Sequence, residues 1–245
     1  LPVVKAVIEY DGTDFFGFQK QPSRRTVQGE LERATGRIFQ EPLPKVIGAG
    51  RTDSGVHATG QVVNFTVPDW FPMDKVGVAL NTVLPIDIRI RRAHEVAESF
   101  HARYSAKSRK YIYVVLNRVD PSALLARYVW HMRDPLDLDI MRSSADELVG
   151  THDFASFGLP DKPGKSTVRQ ILDIRMQRRK DSIFIAIRAN AFLRGMARSI
   201  AGTLVETGRG RRRPEEIKEI LAAKDCGAVH VIAPPRGLYL TRVEY

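Results

Sequence analysis

Arg51 and Asp53 stand two residues apart in the run Gly48-Ala49-Gly50-Arg51-Thr52-Asp53-Ser54-Gly55-Val56-His57-Ala58. Closely spaced glycines permit tight backbone geometry and close approach of a ligand. A guanidinium beside a carboxylate favours the ionised acid, and an ionised carboxylate in such a loop is a candidate nucleophile or base. Charge spacing alone reads first as a surface turn with a solvated ion pair, so the rest of the chain must decide. His57, in the same run, reads as a packed, hydrogen-bonded ring before it reads as a general base. The only cysteine, Cys226, excludes an intrachain disulfide and fits a reducing cytoplasm. It reads as a small buried or surface residue, not a nucleophile. The six histidines are scattered without metal-ligand spacing, and no metal is expected.

The elements that must position this loop follow from hydrophobic periodicity. Val3–Tyr10 reads as a strand ending in the turn Asp11-Gly12-Thr13-Asp14. Thr26 is an N-cap for a helix whose Val27, Leu31, Ala34 and Ile38 recur at helical spacing. Lys45–Ile47 is a second strand feeding the Arg51/Asp53 loop, and Gln61–Val67 a third. Met73–Leu84 reads as a helix, and Asp87–Arg91 opens a fourth strand before His94–Val96. In the second half, Tyr111–Asn117 is a strand and Ile140–Leu148 a helix ending at Gly150. Arg169–Gln177 and Ser182–Ala189 alternate as a hairpin joined by the polar Arg178-Arg179-Lys180-Asp181. Leu193–Thr207 reads as a helix with Met196, Ile200, Leu204 and Val205 on one face. Arg194 and Arg198 then share a helix face at i and i+4. Pro214–Leu221 is a short helix and Gly237–Val243 a terminal strand. The expected class is α+β, in two similar halves at 1–97 and 98–245. Each half is a mostly antiparallel sheet with helices on one face, with a ligand cleft between them.

The chain of 245 residues is 43% hydrophobic, enough for a sizeable core, and its net charge is +10. Residues 1–97 carry a net charge of +1 and residues 98–245 a net of +9. Basicity concentrated in one half, with arginine dominant, suits a polyanionic partner, nucleic acid or an anionic membrane surface. No apolar run approaches the ~18 residues of a membrane span. The amino terminus reads as a strand, not a signal peptide, and a chain opening on Leu1 reads as lacking an initiator residue.

Many blocks in order resemble the TruA-type tRNA pseudouridine synthases. They begin with Tyr10-Asp11-Gly12-Thr13, Phe15, Gly17-Phe18-Gln19 and Thr26-Val27-Gln28. Gly50–Ala58 and Gln61–Phe65 follow, then Leu80-Asn81, Leu84-Pro85, Asp87-Ile88 and Phe100–Ala106. The last are Arg109–Tyr113, His152–Phe154, Phe192–Arg194 with Met196 and Arg198, and Ala233–Pro235 with Gly237-Leu238. The resemblance implies a cofactor-independent isomerisation of uridine to pseudouridine at positions 38, 39 and 40 of the tRNA anticodon arm. It implies Asp53 as the essential carboxylate and Arg51 as its positioner. At ~4 Å and an effective dielectric near 20, such a pair attracts by ~4 kcal/mol before desolvation. Tyr111 would contact the flipped uridine, Leu238 would wall the uracil pocket, and Arg194 would face the cleft. Phe100, His101, Arg103, Lys107, Arg109 and Arg169 would contact RNA, with Lys165 and Arg211–Arg213 as further phosphate contacts. Arg211–Arg213 reads equally as a solvated charge run, and Tyr113 as core or site. The family is dimeric, which implies a homodimer. Phe18 stands where the family often has Trp, and Gly195 suggests close packing in the helix block. A pure RNA-binding module would leave Asp53 unexplained, and a metal-dependent nuclease lacks clustered carboxylates.

Overall fold

The computed structural model describes residues 1–40 and 45–245, which divide into two compact units. The first comprises Leu1–Lys107 with Leu240–Tyr245, and the second comprises Ser108–Tyr239. The sequence reading set the division at residue 97; these units divide after Lys107, and the last six residues return to the first.

In the first unit, β1 (Val3–Tyr10) lies between β3 (His57–Thr66) and β4 (Ile88–Val96), antiparallel to both. Alternate residues of β1 are buried, as period-two alternation requires of a strand covered on one face. The short β2 (Ile47–Gly48) pairs with Asn64 and Val63 of β3. Part of β10 (Leu238–Glu244) flanks β3 on its other side. Helix α1 (Val27–Phe39) opens at Thr26, whose side chain accepts from the Gly29 N–H as expected. Its core position at the carboxyl end is filled by Phe39, with Ile38 only half-buried. The expected helix over Met73–Leu84 divides into a single 3₁₀ turn and α2 (Val76–Val83), which packs against α1 and β4.

In the second unit the strand order is β5 (Ser108–Asn117), β9 (Ser182–Ala189), β8 (Val168–Arg179) and β7 (Gly150–Asp153), antiparallel throughout. The β8–β9 hairpin closes on Lys180-Asp181 alone, with Lys180 in the left-handed region at φ +51°. Ile183, Ile185, Ile187 and Ala189 of β9 are all buried, each isoleucine contributing about 1.5–3 kcal/mol. The three-residue β6 (Trp130–Met132) runs parallel to β5, and it and β7 are strands the sequence reading did not contain. Helix α3 (Leu138–Asp146) is capped by Asp137 and packs against β8 and α4 (Met196–Gly208). Helix α5 is Glu216–Ala223.

Both units are thus mixed α and β with mostly antiparallel sheets, as the alternation of patterns predicted. Among the described residues no helix is long and apolar enough to cross a membrane. Among them, too, no group of His, Cys, Asp and Glu is arranged to hold a metal ion.

Candidate active site

The Gly50–Val56 loop connects β2 to β3, and its shape is imposed by the segment that leaves β1. A register shift between Ile8 and Tyr10 ends the regular β1–β3 pairing at Tyr10–Ala58, beside the mouth of the loop. There the Tyr10 hydroxyl and Thr52 Oγ1 lie 2.8 Å apart, both buried. Burial pushes the Tyr10 phenol up to about 12, with hydrogen bonding to Thr52 and Gln61 pulling weakly the other way. The phenol is therefore neutral and serves as a hydrogen-bonding pin.

The backbone is held on both sides of Asp53. The Phe18 N–H donates to the Thr52 carbonyl at 3.0 Å, and the Val56 N–H donates to the Asp53 carbonyl at 3.1 Å. That second bond closes a turn with Gly55 in third position at φ +76°, the sign a type II turn requires there. Ser54 Oγ donates to the Phe15 carbonyl at 3.0 Å, and Gln61 Nε2 to the Gly50 carbonyl at 2.8 Å. Two glycines of the opposing segment make this clasp sterically possible. A Cβ on Gly12 would stand 2.5 Å from the Val56 carbonyl carbon, with the oxygen closer still. A Cβ on Gly17 would stand 2.8 Å from the Thr52 oxygen, and Gly17 is also left-handed at φ +82°. Asp53 is consequently half-buried on a backbone fixed before and after it.

His57 is nearly fully buried, and its Nδ1 accepts from the Gly12 N–H at 3.0 Å. Nδ1 also lies 3.1 Å from Asp11 Oδ1, a contact that becomes an ion pair only when the ring is protonated. The packed, hydrogen-bonded histidine expected from the sequence is what the structure contains.

A further layer holds the clasp itself. The Val27 and Gln28 N–H groups at the start of α1 donate to the Gly17 and Phe18 carbonyls. The buried Gln28 side chain donates to the Val46 carbonyl at 3.0 Å and accepts from the Lys20 N–H at 2.9 Å. Arg25 grips Asp87 with two bonds of 2.7 and 2.9 Å while its guanidinium lies 4.1 Å from the centre of the Phe15 ring. Phe18 is buried against Gly48, where a Cβ would meet its ring at 2.5 Å. Sequence reasoning quoted Gln28, Gln61 and Asp87 without giving them a task. The available signal was polarity inside apolar patterns, with Gln28 on the buried face of α1 and Gln61 within a buried strand.

The Arg51 expectation needs correction. Arg51 is exposed and, among the described residues, forms no ion pair with Asp53 or any other carboxylate. The Arg51 guanidinium stays in solvent, where a surface ion pair contributes only about 0–1 kcal/mol, too little to fix a long side chain.

The residues expected near RNA in the first unit divide by burial. Phe100 is half-buried against Ala49, Val62 and Ala102, behind the start of the loop, with its ring 4.9 Å from that of Tyr245. His101 Nδ1 accepts from the N–H groups of Arg103 and Tyr104, at 3.2 and 3.3 Å, so the ring shapes the 101–105 turn. Arg103 is half-buried at that turn, and the Lys107 side chain is exposed.

In the second unit, Tyr111 on β5 is 6% exposed and meets the Phe192 ring edge-on at 4.9 Å. Tyr113, two residues on, is core: its hydroxyl donates to the Pro234 carbonyl at 2.8 Å and its ring abuts Gly237. Leu238 is buried at the start of β10. Arg109 is also buried and donates to the Asn190 carbonyl at 2.8 Å, a bond that holds β5 to the loop after β9. Arg169 is half-buried, donates to the Ser166 and Val168 carbonyls, and has its pKa lowered by desolvation. Lys165 is exposed.

Two further expectations change. Helix α4 begins at Met196, so Arg194 lies outside it and does not share a helix face with Arg198. Arg194 instead exchanges backbone hydrogen bonds with Leu159, leaving its side chain exposed. Gly195 is required by its left-handed φ of +80° and not by packing, since a Cβ there meets nothing within 4 Å. The Arg211–Arg213 run lies among carboxylates, sharing Asp134 and Glu206 with Arg209. Arg211 faces Asp134 and Glu206 at 3.8 Å, and Arg212 and Arg213 face Glu216 at 3.6 and 3.4 Å.

Residues 6–105 and 144–245 match the family model described as tRNA pseudouridine synthase. Among curated relatives, a tRNA pseudouridine synthase A of Bacillus pumilus (strain SAFR-032) is 44% identical over 243 residues. That match covers 99% of this chain and 98% of the relative. The protein of the same name from Thermoanaerobacter sp. (strain X514) is 43% identical, covering 99% of each chain. The one from Halalkalibacterium halodurans is 45% identical, covering 94% of this chain and 88% of the relative.

Proposed function

The chain belongs to the tRNA pseudouridine synthases, isomerases of uridine in tRNA, and from that membership we propose that Asp53 is the essential carboxylate of the reaction. The proposed targets are uridines 38, 39 and 40 of the anticodon arm. In the rearrangement the N1–C1′ bond breaks, the uracil turns, and a C5–C1′ bond forms. C5 loses its proton and N1 gains one, so atoms and electrons balance without an oxidant. The step needs an oxygen base or nucleophile held beside the glycosidic bond, which a carboxylate supplies. The observation that carries the proposal is the clasp: Asp53 stands on a turn whose backbone is tied down immediately before and after it.

Reaching a paired uridine costs a few kcal/mol of unstacking and unpairing. Tyr111 is proposed to offset part of that cost by stacking on the extruded base, with Leu238 beside it as an apolar wall. Base–aromatic stacking contributes ~1–3 kcal/mol. Edge-on packing against Phe192 supports this role by limiting the rotation of the Tyr111 ring. Arg51, Arg103, Lys107, Arg169 and Arg194 are proposed as phosphate contacts. The exposure of Arg51, Lys107 and Arg194 favours them over the buried Arg109, and Phe100 and His101 act by shaping the surface. Arg51 would then bring positive charge toward Asp53 when RNA is bound. A cytoplasmic homodimer is proposed as the working form, for which sedimentation at assay concentration is the check. Mass-spectrometric mapping of unmodified tRNA transcripts incubated with the protein tests the reading. It predicts pseudouridine at positions 38–40 and is wrong if none forms.

A further inference from the structure

Phe16 is an exposed aromatic inside the segment that clasps the Asp53 loop. It is 47% exposed, although Phe15 and Phe18 on either side are buried. Its backbone is fixed: its N–H donates to the Arg25 carbonyl at 2.9 Å, and its carbonyl accepts from Gln21 Nε2 at 2.9 Å. The Arg24 guanidinium lies over the ring at 4.4 Å from its centre. Arg24 differs from its neighbours. Lys20 is matched to Glu32, Arg33 to Glu30, and Arg25 to Asp87 and Glu30. Arg24 is exposed and, among the described residues, has no carboxylate partner. Ser23, just before it, holds a left-handed φ of +56°, a conformation that costs a non-glycine residue energy and tends to persist at ligand clamps. A groove of about 510 Å³ runs beside Arg24, lined also by Lys20, Arg25 and Arg33 together with Glu30 and Glu32.

We infer that Phe16 and Arg24 form a nucleotide platform for the substrate tRNA, separate from the residues that meet the target uridine. An unpaired base stacks on the open part of the Phe16 ring, and its phosphate meets Arg24. An exposed ring with an unneutralised guanidinium at its face offers the two contacts a single-stranded nucleotide uses: a π surface and a cation for the phosphate. Phe16 sits between Phe15, which accepts from Ser54, and Gly17, which abuts Thr52. A base docked there is therefore registered against the turn that carries Asp53. The platform makes Phe16 and Arg24 positioning residues, acting on where the RNA lies and not on the reacting atoms.

The inference rests on the proposed tRNA reaction, so its test reads binding instead of turnover. Full-length unmodified tRNA transcript is titrated against the whole chain carrying Asp53→Asn, with and without changes at the platform. Phe16→Ala and Phe16→Leu are expected to weaken binding about tenfold. Phe16→Trp, which restores a ring, is expected to stay within about twofold of Phe. Arg24→Gln is expected to lower the slope of log affinity against log salt by about 0.7–0.9, the loss of one phosphate contact. Thermal melts of each variant separate these effects from misfolding, and Phe16→Leu preserves apolar volume if Phe16→Ala fails to fold. Unchanged affinity of Phe16→Leu together with an unchanged salt slope for Arg24→Gln overturns the inference. Failure of the wild-type chain to make pseudouridine would instead strike the proposed reaction.

Discussion

Replacing Gly12 by alanine tests whether the clasp positions Asp53. Gly12 needs no left-handed backbone; its constraint is space. The added methyl would stand 2.5 Å from the Val56 carbonyl carbon, where ordinary contact begins near 3.4 Å, so the two backbones must part by about 1 Å. Val56 closes the turn on the Asp53 carbonyl, and the Gly12 N–H holds His57, so parting them moves the turn that carries the carboxylate. A misplacement of about 1 Å at a reacting group costs about 10²-fold in rate. The assay is single-turnover pseudouridine formation with saturating enzyme, alongside a thermal melt. Gly195→Ala is the internal control. It meets no atom within 4 Å, and its left-handed φ costs ~1–2 kcal/mol of stability without touching the clasp. At ~2–4 °C per kcal/mol, its melt should drop by several degrees with the single-turnover rate nearly intact. A Gly12→Ala protein that turns over at the wild-type rate would refute the claim that the clasp sets the position of Asp53.

Tyr10→Phe leaves the buried Thr52 hydroxyl without its partner and should cost about 1–3 kcal/mol in denaturant titrations at neutral pH. The Tyr10 phenol is raised from 10.0 to about 12 in the folded state, so its contribution is complete below pH 10 and lost as pH rises toward 12. Tyr10→Phe should flatten that alkaline limb, by about 2–3 kcal/mol at its end. At the acid side, the Asp153 carboxyl is held below 3.8, chiefly by the Thr167 hydroxyl. Its stabilisation is full above that pH and is lost as pH falls through the lower folded value, so Asp153→Asn should shallow the acid limb of an unfolding profile. Arg109→Ala removes a buried donor to the Asn190 carbonyl and should lower the melting temperature. Its effect on the salt slope of tRNA binding should be smaller than that of Lys107→Ala, whose side chain is exposed.

Much of the architecture was legible because strands and helices with one buried face carry their period in the sequence. Val3–Tyr10, Ser182–Ala189 and the Thr26 cap stand where the pattern put them. Missed elements had no period to show: β6 has three residues and β7 four, too short to alternate visibly. The start of α4 was misplaced because Leu193 fits the apolar stripe, while a left-handed Gly195 breaks the backbone before the helix begins. At the candidate site, glycines and charge drew attention to the Asp53 loop but read first as a surface turn, and only the blocks shared with a known family made it the candidate. The Arg51 pairing was not legible, because spacing in sequence does not say which way an exposed side chain turns. The clasp was hidden for a different reason. Tyr10–Thr52 and Gly12–His57 join residues distant in the chain, and only the sheet brings them together.

The most direct measurement is single-turnover conversion of an unmodified tRNA by Asp53→Ala and Asp53→Asn, read by mass spectrometry at positions 38–40, with tRNA affinity and thermal stability measured on the same samples. The account predicts that both variants fold and bind tRNA yet form no detectable pseudouridine. Turnover by either variant at the wild-type rate would contradict it.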